Sequence, residues 1–239
     1  ANTAFIGALG NDHAGETLRV AFKHDDVDIS AVRFVSEPTG RALIGVSDDG
    51  ENSIIVVPGA NHAITIGDVE RNTKIISSAK VLLCQLEVPL EVVQRAFELA
   101  GENSIRILNP APAQSLSKEL LQLVDVITPN EHEMQLLGGS EALLKCGVKT
   151  IVVTQGARGA LMITEKGETR IPPFEVDPVD STGAGDAFCG MLAARLATGE
   201  SIQNALKAAV VSGALATLTE GAVPSLPLWS MVFSKLESK

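Results

Sequence analysis

The chain has 239 residues, of which 45% are hydrophobic and 20% are charged, so it can bury a sizeable core and is not disordered throughout. Its net charge of −10, with no basic run, argues against nucleic acid or an anionic membrane surface as a partner. No apolar stretch is long enough to span a bilayer. The three cysteines are widely spaced and odd in number, which favours a reducing compartment such as the cytoplasm over a disulfide framework or a structural zinc site.

Short apolar segments alternate with helix-patterned segments along most of the chain. The predicted strands cover residues 3–8, 81–86, 104–108, 124–128 and 150–154. Asp12 is placed to cap a helix that continues to His24, and a second helix is predicted over residues 89–100. Apolar strands separated by helices indicate parallel strands joined by right-handed crossovers. We therefore predict an α/β fold with a doubly wound, mainly parallel sheet.

Residues 32–58 interrupt this alternation. Two apolar segments, 41–47 and 52–58, flank Asp48-Asp49-Gly50, which is a strong signal for a hairpin turn. Such a hairpin is compatible with a lid or dimer surface and equally with an ordinary extra hairpin. Later in the chain, a second hairpin is predicted from 159–163 and 168–171, followed by alanine-rich helices at about 184–198 and 201–218.

The segment from Asp177 to Gly190 carries the clearest chemical signal. A proline-containing loop runs into Gly183 and Gly185 at the predicted start of a helix, where backbone N–H groups and the helix dipole favour an anion. Such a site suits the charge that develops on a transferring phosphoryl group. Asp186 in the same turn could orient a substrate hydroxyl and accept its proton. The alternative is a plain glycine-rich loop with an aspartate in the first helical turn.

The stretch from Asp180 to Gly190 resembles the C-terminal signature of the ribokinase-like family of carbohydrate kinases. Further matches occur in the family's order over nearly the whole chain, at residues 38–40, 59–61, 85–87, 109–112, 128–131, 154–159 and 221–225. The resemblance implies one domain over residues 1–239, with residues 32–58 as a β lid or dimerisation element. It also implies a homodimer that transfers the γ-phosphoryl group of ATP to a small sugar, with D-ribose expected.

The resemblance also implies roles for particular residues. Asp186 matches the catalytic base and contacts the substrate, with Gly183, Ala184 and Gly185 as the anion hole. Glu87 matches a position that contacts the sugar. The nucleotide and its Mg²⁺ would be held by Asn130, Glu133, Thr154, Gln155, Gly156, Ala157, Arg158, Gly159 and Gly185. A site for K⁺ would be formed by Asp180, Thr182, Ala216, Thr219, Gly221 and Ser225.

Several of these assignments have plainer alternatives. Glu87 could be a surface charge at a strand end, and Asn130 could cap a helix, although a cap can also bind a ligand. Residues 154–159 could form an ordinary strand exit. The proposed K⁺ ligands are mostly backbone atoms, which any residue supplies.

The sequence departs from the family's pattern in three places. The opening strand with an Asn-x-Asp motif and the Gly-Gly-Lys-Gly-Ala-Asn segment that clasp the sugar do not occur, so we expect the N-terminal part of the domain to be missing here. Residues 138–146 leave room for barely two helical turns, at 140–145. Val210 stands where the family tends to place a polar side chain near the adenine.

Three functions are therefore compared. The Gln85-Leu86-Glu87 and Asn109-Pro110-Ala111-Pro112 stretches favour a ribose kinase over a sibling fructokinase or adenosine kinase. The third candidate is a non-catalytic binding protein on the same scaffold, and Asp186 argues against it.

Overall fold

The computed structural model describes residues 1–46 and 52–237. The chain forms two compact units. The smaller contains residues 2–77 and 87–99, and the larger contains Ala1, residues 78–86 and residue 100 onward. The single domain over residues 1–239 stays a prediction, and the turn expected at Asp48-Asp49-Gly50 lies outside the described residues.

The smaller unit begins with two parallel strands joined by a helix. Strand β1 (Ala4–Gly10) pairs with β2 (Asp28–Val35), and helix α1 (His13–His24) connects them. Asp12 caps α1 as predicted, because its carboxylate accepts a hydrogen bond from the Gly15 amide at 2.8 Å. The helix therefore begins where its capping residue satisfies an amide that has no partner inside the helix.

Strand β2 was not predicted from the sequence. Its residues include Asp28, Ser30 and Arg33, and most of its side chains are exposed or only half-buried. The apolar signal of a buried strand is therefore weak, and backbone pairing with β1 makes it a strand. Pairing with a distant strand cannot be recognised from the residues of β2 alone.

A hairpin follows β2. Strands β3 (Arg41–Val46) and β4 (Asn52–Val57) pair antiparallel, with Arg41 opposite Val57 at the open end. Leu43 and Ile55 lie opposite each other and are 59% and 62% exposed, so this part of the hairpin presents apolar side chains to solvent. The lid or dimer role of the hairpin stays a prediction.

Three helices complete the smaller unit, and they are α2 (Ile66–Arg71), α3 (Thr73–Ser78) and α4 (Leu90–Leu99). Helix α4 corresponds to the helix predicted at 89–100, and it packs against α2. Phe97 of α4 is fully buried. The smaller unit thus has a core of its own.

A sheet of six strands forms the centre of the larger unit. The strands are β5 (Val81–Cys84), β6 (Ile105–Leu108), β7 (Val126–Ile127), β8 (Thr150–Thr154), β9 (Ala160–Thr164) and β10 (Gly167–Ile171). Strands β5 to β8 run parallel in chain order, and β9 and β10 add antiparallel at the β8 edge. This is the mainly parallel sheet that the sequence predicts. Because strands β5 to β8 are parallel, their carboxyl ends meet at one edge of the sheet.

Six helices lie in the larger unit. They are α5 (Lys118–Leu123), α6 (Glu131–Leu136), α7 (Ser140–Lys145), α8 (Ala184–Ala197), α9 (Ile202–Ala216) and α10 (Trp229–Glu237). Helices α7, α8 and α9 match predicted helices, whereas α10 was not predicted. In the described part of the chain, no helix combines the length and apolar character needed to cross a bilayer.

Helices α8 and α9 pack closely together, and both contribute to the main hydrophobic core. Gly213 of α9 permits the close approach, because a Cβ there would lie 3.1 Å from the Ala184 carbonyl oxygen. Phe188 and Leu192 of α8 pack in the same core as Val152 of the sheet. The start of α8 is therefore held by buried packing along its length.

Candidate active site

The start of α8 differs from an ordinary capped helix. Gly183 precedes the helix with φ of 77°, a left-handed conformation that favours glycine, and no side chain caps the helix. A Cβ at this position would come 3.2 Å from the Ala222 Cα atom. The first bond of the helical ladder runs from the Ala187 amide to the Gly183 oxygen at 2.8 Å. Backbone conformation and close packing therefore require the glycine that the sequence singled out.

Two amides of this first turn are available to a ligand. Within the described part of the chain, no protein group accepts a hydrogen bond from the N–H of Gly185 or Asp186. A Cβ added at Gly185 would meet no atom within 4 Å, so the space beside it is open. Unpaired amides at a helix N-terminus attract anions through hydrogen bonding and through the helix dipole. The geometry is that of an anion-binding turn.

Asp186 lies in the same turn. Its side chain is solvent-exposed, and among the residues that the structure describes none donates a hydrogen bond to its carboxylate. Partial desolvation by the surrounding protein raises the pKa of Asp186 above the ordinary value of 3.8. A carboxylate that is both accessible and short of donors can accept a proton from a hydroxyl brought beside it.

One turn further along α8, a buried thiol connects the helix to the sheet. The Cys189 sulfur lies 3.3 Å from the Thr128 hydroxyl, which follows β7. Burial is the largest cause that raises the pKa of Cys189 to about 11, and the charges of Asp186 and Glu133 contribute. The charges of Asp186 and Glu133 therefore both oppose ionisation of this buried thiol.

Asn130 and Glu133 form a capping box at the start of α6. The Asn130 side-chain oxygen accepts from the Glu133 amide at 2.8 Å, and the Glu133 Oε2 atom accepts from the Asn130 amide at 2.8 Å. The cap uses one carboxylate oxygen of Glu133 and leaves Oε1 without a protein partner in the described chain. Capping and a ligand role thus remain compatible, as the sequence predicts.

The donor set suits Mg²⁺ that is bound together with a nucleotide. Among the described residues, no group of three or more histidine, cysteine, aspartate or glutamate side chains is arranged so that it could hold a metal ion. Mg²⁺ keeps much of its hydration and commonly uses one or two carboxylates with substrate phosphates. Glu133 and Asn130 fit such a site, whereas a site made only of protein ligands does not fit.

The turn at residues 154–159 lies beside this capping box. Thr154 ends β8, its amide donates to the Pro129 oxygen at 2.9 Å, and it forms a parallel bridge with Asn130. A short 3₁₀ helix, Gly156–Arg158, follows. Gly159 closes the turn with φ of 83°, and a Cβ there would lie 2.2 Å from the Ile171 oxygen. Two predicted nucleotide segments therefore meet where β7 and β8 end.

Glu131 also contributes to this region, and it was missed in the sequence. Its carboxylate forms an ion pair with Arg158 and accepts a hydrogen bond from the Gln155 side-chain nitrogen at 3.3 Å. The Gln155 Oε1 atom is buried and has no partner among the described residues. Glu131 thus ties the 154–159 turn to α6. Its place directly after Asn130, within the family match at residues 128–131, was the signal that could have identified it.

Four of the predicted K⁺ ligands lie on two chain segments that Asp180 joins. Its Oδ1 atom accepts from the Thr182 amide at 2.9 Å, and its Oδ2 atom accepts from the Gly221 amide at 2.8 Å. The Gly221 amide is the largest cause that lowers the pKa of Asp180. Ser225 is buried, and its hydroxyl lies 3.4 Å from the place of a Cβ on Gly183. The structure thus brings four of the predicted residues beside the start of α8.

The remaining predicted positions are more dispersed. Ala216 is fully buried at the end of α9, and Thr219 follows it in the loop that leads to Gly221. Glu87 is half-buried and follows β5 in the sequence. Val210 is only 8% exposed and belongs to the main core with Phe188.

Over most of its length, the chain is similar to known carbohydrate kinases in sequence and in fold. The family model for pfkB family carbohydrate kinases matches residues 1–229. The ribokinase of Haemophilus influenzae is 37% identical over 242 residues, which cover 95% of this chain and 79% of that protein. A bifunctional ribokinase/ribose-5-phosphate isomerase A from Fructilactobacillus sanfranciscensis is 38% identical over 242 residues, and the match spans 95% of this chain but only 45% of that protein.

A solved structure shares the architecture. The ribokinase of Arabidopsis thaliana complexed with ribose and ATP superposes with a TM-score of 0.89 at 30% identity. The superposition covers 99% of this chain and 82% of that one. The ribokinase-like α/β fold expected from the sequence is thereby confirmed.

Proposed function

This chain belongs to the pfkB family of carbohydrate kinases, and from that premise we propose that it transfers the γ-phosphoryl group of ATP to D-ribose, giving ribose 5-phosphate. The observation that carries the proposal is the first turn of α8, where an accessible carboxylate, Asp186, stands beside two unpaired amides. Ribose is proposed as the acceptor because the relatives with the highest identities described above are ribokinases.

Asp186 is proposed as the general base. Its carboxylate accepts the proton of the sugar hydroxyl while the hydroxyl oxygen bonds to the γ-phosphorus and the bond to ADP breaks. The amides of Gly185 and Asp186 donate to the phosphoryl oxygens as their negative charge is redistributed. The raised pKa of Asp186 brings its basicity closer to working pH than that of an ordinary aspartate.

Residues at the ends of β7 and β8 are proposed to hold the nucleotide. Glu133 and Asn130 would hold hydrated Mg²⁺, which neutralises phosphate charge when it is bound. The turn from Thr154 to Gly159 would contact the nucleotide, and Glu131 keeps that turn against α6. Glu87 is proposed to contact the sugar.

K⁺ is proposed as an activator that holds the Gly183 loop in place. Asp180 already joins the loop before α8 to the loop after α9 through two backbone amides. A carboxylate oxygen can accept more than one contact, so Asp180 can serve a cation as well. With backbone oxygens of Ala216 and Thr219 and the Ser225 hydroxyl, it would fix the Gly183 loop without entering the chemistry.

A homodimer that forms through the hairpin and a cytoplasmic location are also proposed. The exposed apolar side chains of Leu43 and Ile55 support the first, because such side chains are stabilised when a partner covers them. The three free cysteines support the second. Light scattering of the Ile55→Asp variant tests the dimer, and an unchanged dimer would contradict this interface.

The function is tested by assaying the natural protein that contains this chain with Mg-ATP and a panel of acceptors. D-ribose, 2-deoxyribose, fructose and adenosine are compared by kcat/KM, and ribose is expected to give the highest value. A higher value for fructose or adenosine would move the assignment to a sibling kinase. Binding of ribose without turnover of any acceptor would favour the non-catalytic binding protein.

A further inference from the structure

Asp12 makes more contacts than a helix cap requires. Its Oδ1 atom accepts from the Gly15 amide at 2.8 Å and from the Thr39 hydroxyl at 2.6 Å. Its Oδ2 atom accepts from the Thr39 amide at 3.1 Å and from an Arg41 nitrogen at 3.3 Å. One oxygen thus serves the helix cap, and the other serves only the chain that enters the hairpin.

These partners lie at the root of the hairpin, which we define as residues 38–41 and 57–60. Thr39 is only 4% exposed, and its hydroxyl oxygen accepts from the Gly10 amide at the end of β1. Arg41 is the first residue of β3. Asp12 therefore connects the hairpin root to α1, and Thr39 connects the same root to β1.

The two chain segments of the root are also held together directly. The Ala60 amide donates to the Pro38 oxygen at 2.8 Å. A Cβ on Gly59 would lie 2.2 Å from the same Pro38 oxygen, and Gly59 has φ of 48°. Since the segments touch backbone to backbone, fixing Thr39 also fixes the returning segment.

A groove of about 510 Å³ borders the root on the α1 side, lined by His13, Ala14, Thr17, Leu18, Thr39, Gly40 and Arg41. Apolar packing does not fill this space. Among the described residues, the hydrogen bonds that join the root to the start of α1 all involve Asp12.

We propose that Asp12 is a positioning residue for sugar binding: it anchors the hairpin root, so that strands β3 and β4 move as one arm beyond a fixed base. The link to sugar binding rests on the proposed kinase function and on the lid role that the family resemblance implies for residues 32–58. The anchoring itself does not depend on that function. Loss of the anchor lets the arm take many directions, which lowers the population that can close on the sugar.

Asp12→Asn separates the anchor from the cap. Asparagine is an equally good N-cap, and its oxygen can keep the contacts of Oδ1. Its NH₂ group replaces Oδ2 and faces the donors of Thr39 and Arg41. Hydrogen exchange at the hairpin root is expected to accelerate by about tenfold, with α1 unchanged. The KM for ribose is expected to rise by about fivefold, with kcat and the KM for ATP within about twofold.

Two further variants complete the test. Thr39→Val removes the hydroxyl from the same network with little change in volume, and it should accelerate exchange at the root even if Asp12→Asn folds poorly. Arg19→Met is the matched control, because Arg19 lies on α1 and its hydrogen bonds to side chains in the described chain go to Glu16 and not to the root. This control should change neither the exchange at the root nor the KM for ribose.

The results divide clearly. If hydrogen exchange at the root is unchanged in both Asp12→Asn and Thr39→Val, the proposal that Asp12 anchors the root is wrong. If exchange accelerates equally in α1 and the root, Asp12 acts only as a helix cap. Faster root exchange with an unchanged KM for ribose would overturn the role in sugar binding. If no acceptor is phosphorylated, the proposed function fails, while hydrogen exchange still decides whether Asp12 anchors the hairpin.

Discussion

Two aspartates at two helix starts have opposite surroundings. Asp12, at the start of α1, accepts hydrogen bonds from the Gly15 amide, the Thr39 amide, the Thr39 hydroxyl and Arg41. The Thr39 hydroxyl is the largest cause that lowers the pKa of Asp12 to about 2. Asp186, at the start of α8, has no protein donor among the described residues, and desolvation raises its pKa.

The neighbouring glycines differ in the same way. A Cβ on Gly15 would lie 2.2 Å from the Gly10 oxygen, so the space beside Gly15 is already filled by backbone. A Cβ on Gly185 would meet nothing within 4 Å. A carboxylate whose acceptor sites are filled holds structure together, whereas one that lacks donors beside open amides is available to substrate. Four predictions test this difference.

The largest effect is expected at Asp186. Replacing it in Asp186→Asn should lower kcat by about 10³-fold, since a general base contributes about 10²- to 10⁴-fold, with a small change in the KM for ATP. The Tm should not fall, because the variant removes a desolvated charge and no protein hydrogen bond. Steady-state kinetics and thermal unfolding check both statements. A kcat within tenfold of wild type would contradict the base assignment.

The next effect concerns the open space at Gly185. Gly185→Ala should lower kcat/KM for ATP by about tenfold or more, because its methyl group would enter the space proposed for a phosphoryl oxygen. Gly190→Ala is the matched control on the same helix, where a Cβ also meets nothing within 4 Å. The control should keep its activity and gain about 1 kcal/mol of helix stability. Equal activities in the two variants would show that the open space is not a ligand site.

A smaller effect is expected at the loops joined by Asp180. Wild-type kcat should be higher in K⁺ than in Na⁺, and Asp180→Asn should reduce that ratio by about fivefold. The asparagine NH₂ group would face one of the amides that now donate to the carboxylate. Rates measured at matched ionic strength check this prediction. Equal wild-type rates in K⁺ and Na⁺ would count against the cation site.

The smallest effect is the position of the acid limb in the pH profile. The base form of Asp186 is required and its pKa is raised, so kcat/KM should fall, as pH decreases, at a pH above the ordinary aspartate value of 3.8. The pKa of Asp12 is lowered, so its contribution to stability is present above 3.8 and is lost only as pH falls toward about 2. Activity should therefore be lost while the hairpin root stays protected from hydrogen exchange. Simultaneous loss of both would contradict the contrast.

Local patterns predicted much of the fold and the centre of the site. The run Ile151-Val152-Val153 lies in a buried strand with the predicted ends, and the turn before Asp186 was predicted from glycines that are close together in sequence. Asp12 was predicted as a cap from local sequence alone. Its bond to Thr39 crosses 27 residues, so no local pattern could reveal it.

The features that were missed also depend on distant contacts. Strand β2 becomes a strand through pairing with β1, although its own residues are mixed in polarity. Glu131 gains its role from Arg158, which lies 27 positions away and becomes a neighbour only when β7 and β8 align. Val210 joins the core through the packing of α8 on α9.

The buried contact between Cys189 and Thr128 has a practical consequence for chemical probes. Burial raises the pKa of Cys189 to about 11, so only a small fraction of this thiol is ionised at neutral pH. Burial raises the pKa of Cys84 even further, to about 12. Cys189, one turn from Asp186, should therefore react slowly with electrophilic inhibitors that target a cysteine thiolate. A covalent label for the first turn of α8 should instead carry a group that reacts with the Asp186 carboxylate.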